Sequence, residues 1–316
     1  MNYEIYFDEA NKLDQPTGGY SYYGAYGSES EKIVKLTEGI EKIFADLRTS
    51  SELHFVKYTK DTNIKKYFKV LNYLMEQDFC INIFIVNNDQ AKITADKMNV
   101  DLSIMRSLFY VKIPERLFYG ITRSLTSGTD ISLFVDANDE YDKLDLYSKL
   151  KEQMNAHSAY RNKCYKITEA TSLDSKESIP LQIIDTIIGV VVFLFEKSYL
   201  EQSDIASIKS DLIYRFLIED DNIEKIQQRL TLFKWDNQED QITSISIGDY
   251  ISNFLVYKTQ EDIKAMNKLK ELMIKNVDLT RVSDYRKLME YKNTQHRIIQ
   301  GYIDEILYND RNYSLR

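Results

Sequence analysis

The sequence predicts an α/β (equally α+β) fold: a mixed sheet flanked by helices over residues 1–200, followed by an all-helical region over 201–316. Three observations predict it. Strand-like and helix-like stretches are mixed up to about residue 200, and beyond residue 201 only helical patterns are found. Three prolines and ten glycines in 316 residues leave little room for linker. A hydrophobic content of 43% supports a sizeable core in one or two domains.

The elements follow in order. Residues 3–8 (YEIYFD) are short, β-branched and aromatic, and read as a strand. After a turn around Pro16–Gly19, residues 20–26 read as the second strand of a hairpin. Ser28 and Glu31 have capping-box spacing. Ile33, Leu36, Ile40, Ile43, Phe44 and Leu47 then recur at helical spacing, which predicts an amphipathic helix ending near Arg48. A polar break, TSSE, leads to Leu53-His54-Phe55, and a helix is expected over 62–77. Phe79–Val86 (FCINIFIV) predicts a strand, and 102–125 a helical stretch with a kink or break at Pro114. Ile131–Asp136 predicts another strand, 140–154 a helix, and Cys164–Thr168 a weaker strand. Pro180 suits the first turn of the apolar helix that follows. The clearest of the later helical patterns spans 281–307.

Composition excludes several classes. A net charge of −8 and a pI near 5.2 do not announce a nucleic-acid binder, although a local basic patch would suffice for one. Cys80 and Cys164 lie far apart with no CxxC, which argues against a disulfide framework or zinc knuckle and for a reduced, cytoplasmic protein. The segment MNYEIYFDEA has neither the basic nor the apolar region of a signal peptide. In the most apolar run, Ile183–Phe195, the uncharged stretch Thr186–Phe195 is about half of what a bilayer-spanning helix needs, so a buried helix and no membrane association are expected. The 24 tyrosines fit either an AT-rich genome or an aromatic surface for stacking on bases.

The motif search narrows the chemistry. The sequence has no GxxxxGK[ST], no GxSxG and no GxGxxG after a strand, and His54, His157 and His296 do not cluster in it. What stands out is acid in apolar settings. Asp8 and Asp136 each close an apolar strand, and Asp185 interrupts the most apolar helix. Parallel strand ends gather at one edge of a sheet, and a helix packed across it could add Asp185. Carboxylates so close repel unless a cation holds them, and hard oxygen ligands suit Mg²⁺ or Mn²⁺. Gln182 lies three residues before Asp185 and faces the same way.

YFDEA at 6–10, SELHF at 51–55, LFVDAND at 133–139 and DSKESIPLQIIDTIIG at 174–189 resemble the motifs of domain-of-unknown-function family 3800, in the same order over roughly residues 1–200. The resemblance implies a ribonuclease H-like fold and an acidic tetrad. Asp8 would be its central ligand, with Glu52, Asp136 and Asp185 completing it. Glu9 matches the family's second acid, but neighbouring strand residues point to opposite faces, so its expected role is supporting. His54 is expected either to orient substrate or a ligand, or to be an ordinary polar histidine.

The activity expected from this is divalent-metal-dependent hydrolysis of DNA or RNA phosphodiesters by two ions. The alternatives are a non-catalytic module binding nucleic acid or protein, and an integrase- or transposase-like strand transferase. Lys57, Lys60, Lys65, Lys66 and Lys69 against Asp61 form a local basic excess after Glu52, readable as a phosphate contact or as a solvated helix face. Between Lys264 and Arg297, nine basic residues face four acids, which suits a nucleic-acid grip, a mixed-surface bundle or a homodimer element formed by the C-terminal helices.

Overall fold

The computed structural model describes residues 2–13, 19–125, 128–163, 165–235 and 242–275. The seven strands among these residues are β1 (Asn2–Ala10), β2 (Tyr20–Glu29), β3 (Cys80–Asn87), β4 (Asp130–Asp136), β5 (Lys166–Leu173), β6 (Leu230–Trp235) and β7 (Thr243–Ile245). They form one mixed sheet in the order β5-β4-β1-β2-β3-β6-β7. β2 runs antiparallel to both β1 and β3, whereas β1–β4, β4–β5 and β3–β6 are parallel and β6–β7 is antiparallel.

Among the described residues, ten α-helices accompany the sheet: α1 (Ser30–Asp46), α2 (Ile64–Glu76), α3 (Asn88–Met98), α4 (Leu102–Thr122), α5 (Asp139–Lys143), α6 (Leu146–Tyr160), α7 (Ile179–Phe195), α8 (Asp204–Ile218), α9 (Asn222–Arg229) and α10 (Ile247–Lys275). They cover both faces. The alternation of side chains along β1 decides which face each residue serves. Tyr6 joins a core with residues of α1, α2, α7, α8 and α10, while Ile5 and Phe7 join a second core with residues of α4 and α6. The expected α/β architecture is therefore present, and no helix among the described residues is long and apolar enough to cross a membrane.

Several local expectations are corrected. Ser28 does not cap α1: it is buried inside β2, whose ladder with β1 runs on to the pair Tyr3–Glu29. The helix begins at Ser30 behind Glu29, with no side-chain cap. Pro114 does not break α4, because Ile113, Leu117 and Phe118 pack into the second core and hold the helix through the missing N–H. The expected helix over 140–154 is two helices, parted at Asp145, whose φ of 49° is one that Asp tolerates better than most residues. β5 starts later and runs longer than Cys164–Thr168 suggested; Cys164 itself lies outside the described residues.

The region after residue 201 is not helices alone. Leu230-Thr231-Leu232 alternates buried and half-buried, and β6 extends the sheet beside β3. Phe216 and Phe254 belong to the same core as Leu36 and Val191, so one core runs across the expected boundary near residue 200. Most of the turn Pro16–Gly19, the 281–307 pattern and most of the basic stretch Lys264–Arg297 lie outside the described residues.

Candidate functional site

The parallel pairing of β1 with β4 reaches Phe7 and Val135, so Asp8 and Asp136, the next residue on each strand, emerge at the same sheet edge. Asp8 sits opposite Gly24 of β2. A Cβ on Gly24 would lie 2.7 Å from Ile188 Cδ1, so the bare backbone is what lets α7 come close there. That approach carries Asp185 of α7 towards Asp8. The structure thus brings together the three acids singled out for their apolar settings.

Their electrostatics are unfavourable as they stand. Asp8 is only 8% exposed. Burial, and then the charges of Asp136 and Asp185, push its carboxyl well above the ordinary carboxylate range. Against this, the Glu9 N–H donates to Asp8 Oδ1 at 2.7 Å. Among the described residues no cationic side chain forms an ion pair with Asp8. Burial also raises Asp136, partly offset by hydrogen bonds from the Ser175 hydroxyl and from the N–H groups of Ser175 and Ala137.

The helix holds the surrounding chain through two polar side chains on one face. Gln182, 4% exposed, accepts the Leu53 N–H at 2.9 Å and donates to the carbonyls of Ser175 (2.9 Å) and Lys176 (3.3 Å). One turn on, Asp185 Oδ2 accepts the Phe55 N–H at 3.0 Å. The expectation that the two share a face holds, and its reason is now visible: they clamp the 53–55 segment. Gln182 also fixes the 175–176 turn, whose Ser175 serves Asp136. His54 Nδ1 lies 3.0 Å from Asp185 Oδ2, too poorly aligned to count as a hydrogen bond. The His54 backbone is fixed on both sides by the Tyr67 hydroxyl, at 3.0 Å from its N and from its O.

Glu52 is not among the carboxylates whose charge raises Asp8. Its carboxylate is bound by Lys57 Nζ, and its charge is felt at Lys66 and Tyr67. Glu9 lies on the opposite face of β1, as alternation requires. It accepts the Tyr110 hydroxyl at 3.2 Å, and burial lifts its carboxyl to about 7. Of the expected phosphate contacts, Lys57, Lys60 and Lys65 are exposed, with Lys57 engaged on Glu52. Lys66 is buried at 4% exposure, and its ammonium reaches the carbonyls of Ser51 and Glu52, both at 3.0 Å. It is a strut for the 51–55 segment, not a surface cation.

Two clefts flank the acids. One, of about 220 Å³, is lined by Asp8, Glu9, Asp136, Asn138 and Tyr141 among others. The other, of about 210 Å³, opens on Asp185, Phe55 and Lys209, and Asn11 borders both. In donor chemistry the aspartates fit a hard cation. In spacing, no group of three or more acidic, histidine or cysteine side chains among the described residues is close enough to hold an ion.

No family model matches the chain, and no curated protein matches it. The likeness to family 3800 therefore rests on the quoted motifs alone. Sequence reasoning passed over Ser175, although it lies inside one of those motifs, and it passed over Tyr110 and Lys209, for which no motif or periodicity gives a signal.

Proposed function

We propose that the protein is a divalent-metal-dependent nuclease of ribonuclease H-like type that hydrolyses phosphodiester bonds of DNA or RNA. Asp8, Asp136 and Asp185 would hold Mg²⁺ or Mn²⁺. One observation carries the reading: a buried carboxylate, Asp8, faces two further carboxylates with no cationic partner among the described residues. Such an arrangement is costly unless protons or cations neutralise it. Cations bound there would offset the charge developing on a phosphoryl group and make water a better nucleophile.

The chain's own part is orientation. Ser175 holds Asp136, and the Phe55 N–H holds Asp185. Gln182 ties both supports to one turn of α7. Glu52 enters the ligand set only on leaving Lys57.

The test is incubation of the full chain with single-stranded DNA, duplex DNA, RNA and an RNA–DNA hybrid in Mn²⁺. Cleavage of at least one is expected, and its loss in Asp8→Asn. In chelator, the same variant should melt higher than the wild type, because it removes a buried, repelled charge. Absence of cleavage on every substrate, or full activity in Asp8→Asn, rejects the proposal.

A second reading, a non-catalytic binding module for nucleic acid or protein, is favoured by the Lys57–Glu52 pair and by the lack, among the described residues, of three acidic, histidine or cysteine side chains close enough to hold an ion. It requires calorimetry to detect no Mn²⁺ binding and Asp136→Asn to leave partner binding intact.

A further inference from the structure

The outer side of α4 carries a row of cations. Lys112, Arg116, Tyr119 and Arg123 follow one another at intervals of three or four residues, which sets them on one stripe of the helix. The acid of this stretch, Glu115, is buried and already engaged. It pairs with Lys112 at 2.9 Å, accepts from Gln153, and lies 3.3 Å from His157 Nδ1. Arg116 and Arg123 are exposed, and among the described residues their side chains form no ion pair. Arg161, just past α6, is exposed too, and its guanidinium stands 5.8 Å from the ring centres of both Tyr119 and Tyr160. Lys163 closes the row, donating to the Arg123 carbonyl at 3.1 Å.

The neighbouring acids are turned elsewhere. Glu29 and Asp78, in the pocket at the end of α4, both engage Lys32, at 3.7 and 3.4 Å. Asp130 pairs with Lys166 in the β4–β5 ladder. Glu152 of α6 lies roughly 140° round that helix from His157, whose ring packs on Tyr119. In a chain of net charge −8, this leaves a local cationic surface on a molecule that otherwise repels anions.

The form of the surface says which anion fits it. From Lys112 to Arg123 the stripe runs about 16 Å along the helix, so it matches an anion with repeated charges better than a lone carboxylate or phosphate. Guanidinium forks meet phosphate oxygens two at a time. Between Lys112 and Arg123, α4 exposes no large apolar side chain, which the dry centre of a protein interface or a membrane anchor would need. At the margin Tyr160 is 85% exposed, an open ring on which a base could stack.

We propose that this stripe of α4, with Arg161 and Lys163 at its end, binds the phosphate backbone of a nucleic acid. It lies on the opposite face of the sheet from α2 and its lysines. That the bound nucleic acid is also the one cut at Asp8 rests on the nuclease reading; the surface does not.

The experiment is fluorescence anisotropy of labelled duplex DNA, single-stranded DNA and RNA with the full chain in chelator, over a salt series. Mn²⁺-dependent cleavage kinetics are measured alongside. The double variant Arg116→Gln/Arg123→Gln should melt as the wild type does, because neither side chain holds a partner. It should bind about 10-fold or more weakly near 0.1 M salt, with the salt slope lowered by about 0.9 per arginine on duplex or about 0.7 on a single strand. Arg116→Lys/Arg123→Lys should keep most of the slope, since the charges remain. Lys35→Gln/Lys42→Gln on α1 removes the same net charge from exposed positions on the other face, and should leave binding within about 2-fold of the wild type. No nucleic-acid binding by the wild type, an unchanged affinity and slope in the arginine double variant, or an equal loss in the α1 variant overturns the inference. So does equal competition by polyglutamate or by phosphatidylserine vesicles, which would assign the surface to an acidic protein or to a membrane. If the arginines carry binding but no substrate is cleaved, the nuclease reading fails and this surface stands. If cleavage proceeds with a KM indifferent to the arginine changes, the reverse holds.

Discussion

Asp8 and Glu9 are neighbours on one strand, and both are buried acids, yet they face different layers of the protein. Asp8 looks onto α7 and two other carboxylates; Glu9 looks onto the tyrosines of α4 and α5. Glu9 offers a measurable consequence of burial. Its carboxyl rises from 4.5 to about 7, burial being the main cause. Below pH 4.5 it is protonated in both folded and unfolded chains and contributes nothing to the difference. Between 4.5 and 7 the unfolded chain ionises first, so folding stability falls as pH rises, by at most roughly 3 kcal/mol. With divalent ions chelated, urea midpoints of the wild type should therefore drop across that window. Glu9→Gln should flatten the drop and be the more stable protein at pH 8. A wild-type profile that rises from pH 5 to pH 8, or one unchanged by the substitution, would contradict the assigned burial.

At the scale of elements, α7 organises the site. It is buried on nearly every side, and three polar side chains on or next to it each hold a partner. Ser178 caps it by accepting the Leu181 N–H, Gln182 ties two loops, and Asp185 meets Phe55 and His54. Gly189 lies one turn further on. A Cβ there would stand 2.5 Å from Phe55 Cβ, an atom fixed to its own backbone and unable to swing away. Gly189→Ala gains helix propensity worth about 1 kcal/mol but overpacks the seat of the 53–58 segment, which costs about 1–3 kcal/mol. The overpacking should win, with a net loss of stability near 1 kcal/mol in thermal or chemical unfolding. If the proposed metal site exists, Mn²⁺ binding should weaken too, because the Phe55 N–H holds Asp185. A stabilised variant would show that the segment yields freely. The Asp185 and Gln182 positions were legible in the sequence, because a polar residue in an apolar helix is conspicuous. The partners they hold were not, since Leu53 and Phe55 lie about 130 residues away in the chain.

For the whole molecule, the decisive element is β6. It adds a parallel strand beside β3 and brings α8 and α10 over the same core face as α7. A fragment of residues 1–200 would leave Val191, Leu194 and Leu74, now buried, without the covering of Leu212, Phe216 and Phe254. Such a fragment should show no cooperative thermal transition and should bind a hydrophobic dye, while the full chain melts in one sigmoidal step. A fragment with the full chain's midpoint would restore a boundary at 200. The same arrangement explains why Lys209, from beyond that boundary, reaches the cleft beside Asp185.

What the sequence by itself determined is the α/β class, most strands and helices before residue 200, and the three aspartates in apolar settings. Those are local matters: the period of apolar residues and the cost of a charge among them are written in short windows. The tertiary structure alone decided the rest. It set β6 in the sheet, buried Ser28 and Lys66, carried α4 through Pro114, turned Glu52 onto Lys57, and laid Lys209 over the Phe55 ring. Each of these depends on which distant residues share a neighbourhood, and a sheet ladder or a packed core outweighs the cap, propensity or charge pattern of any single segment.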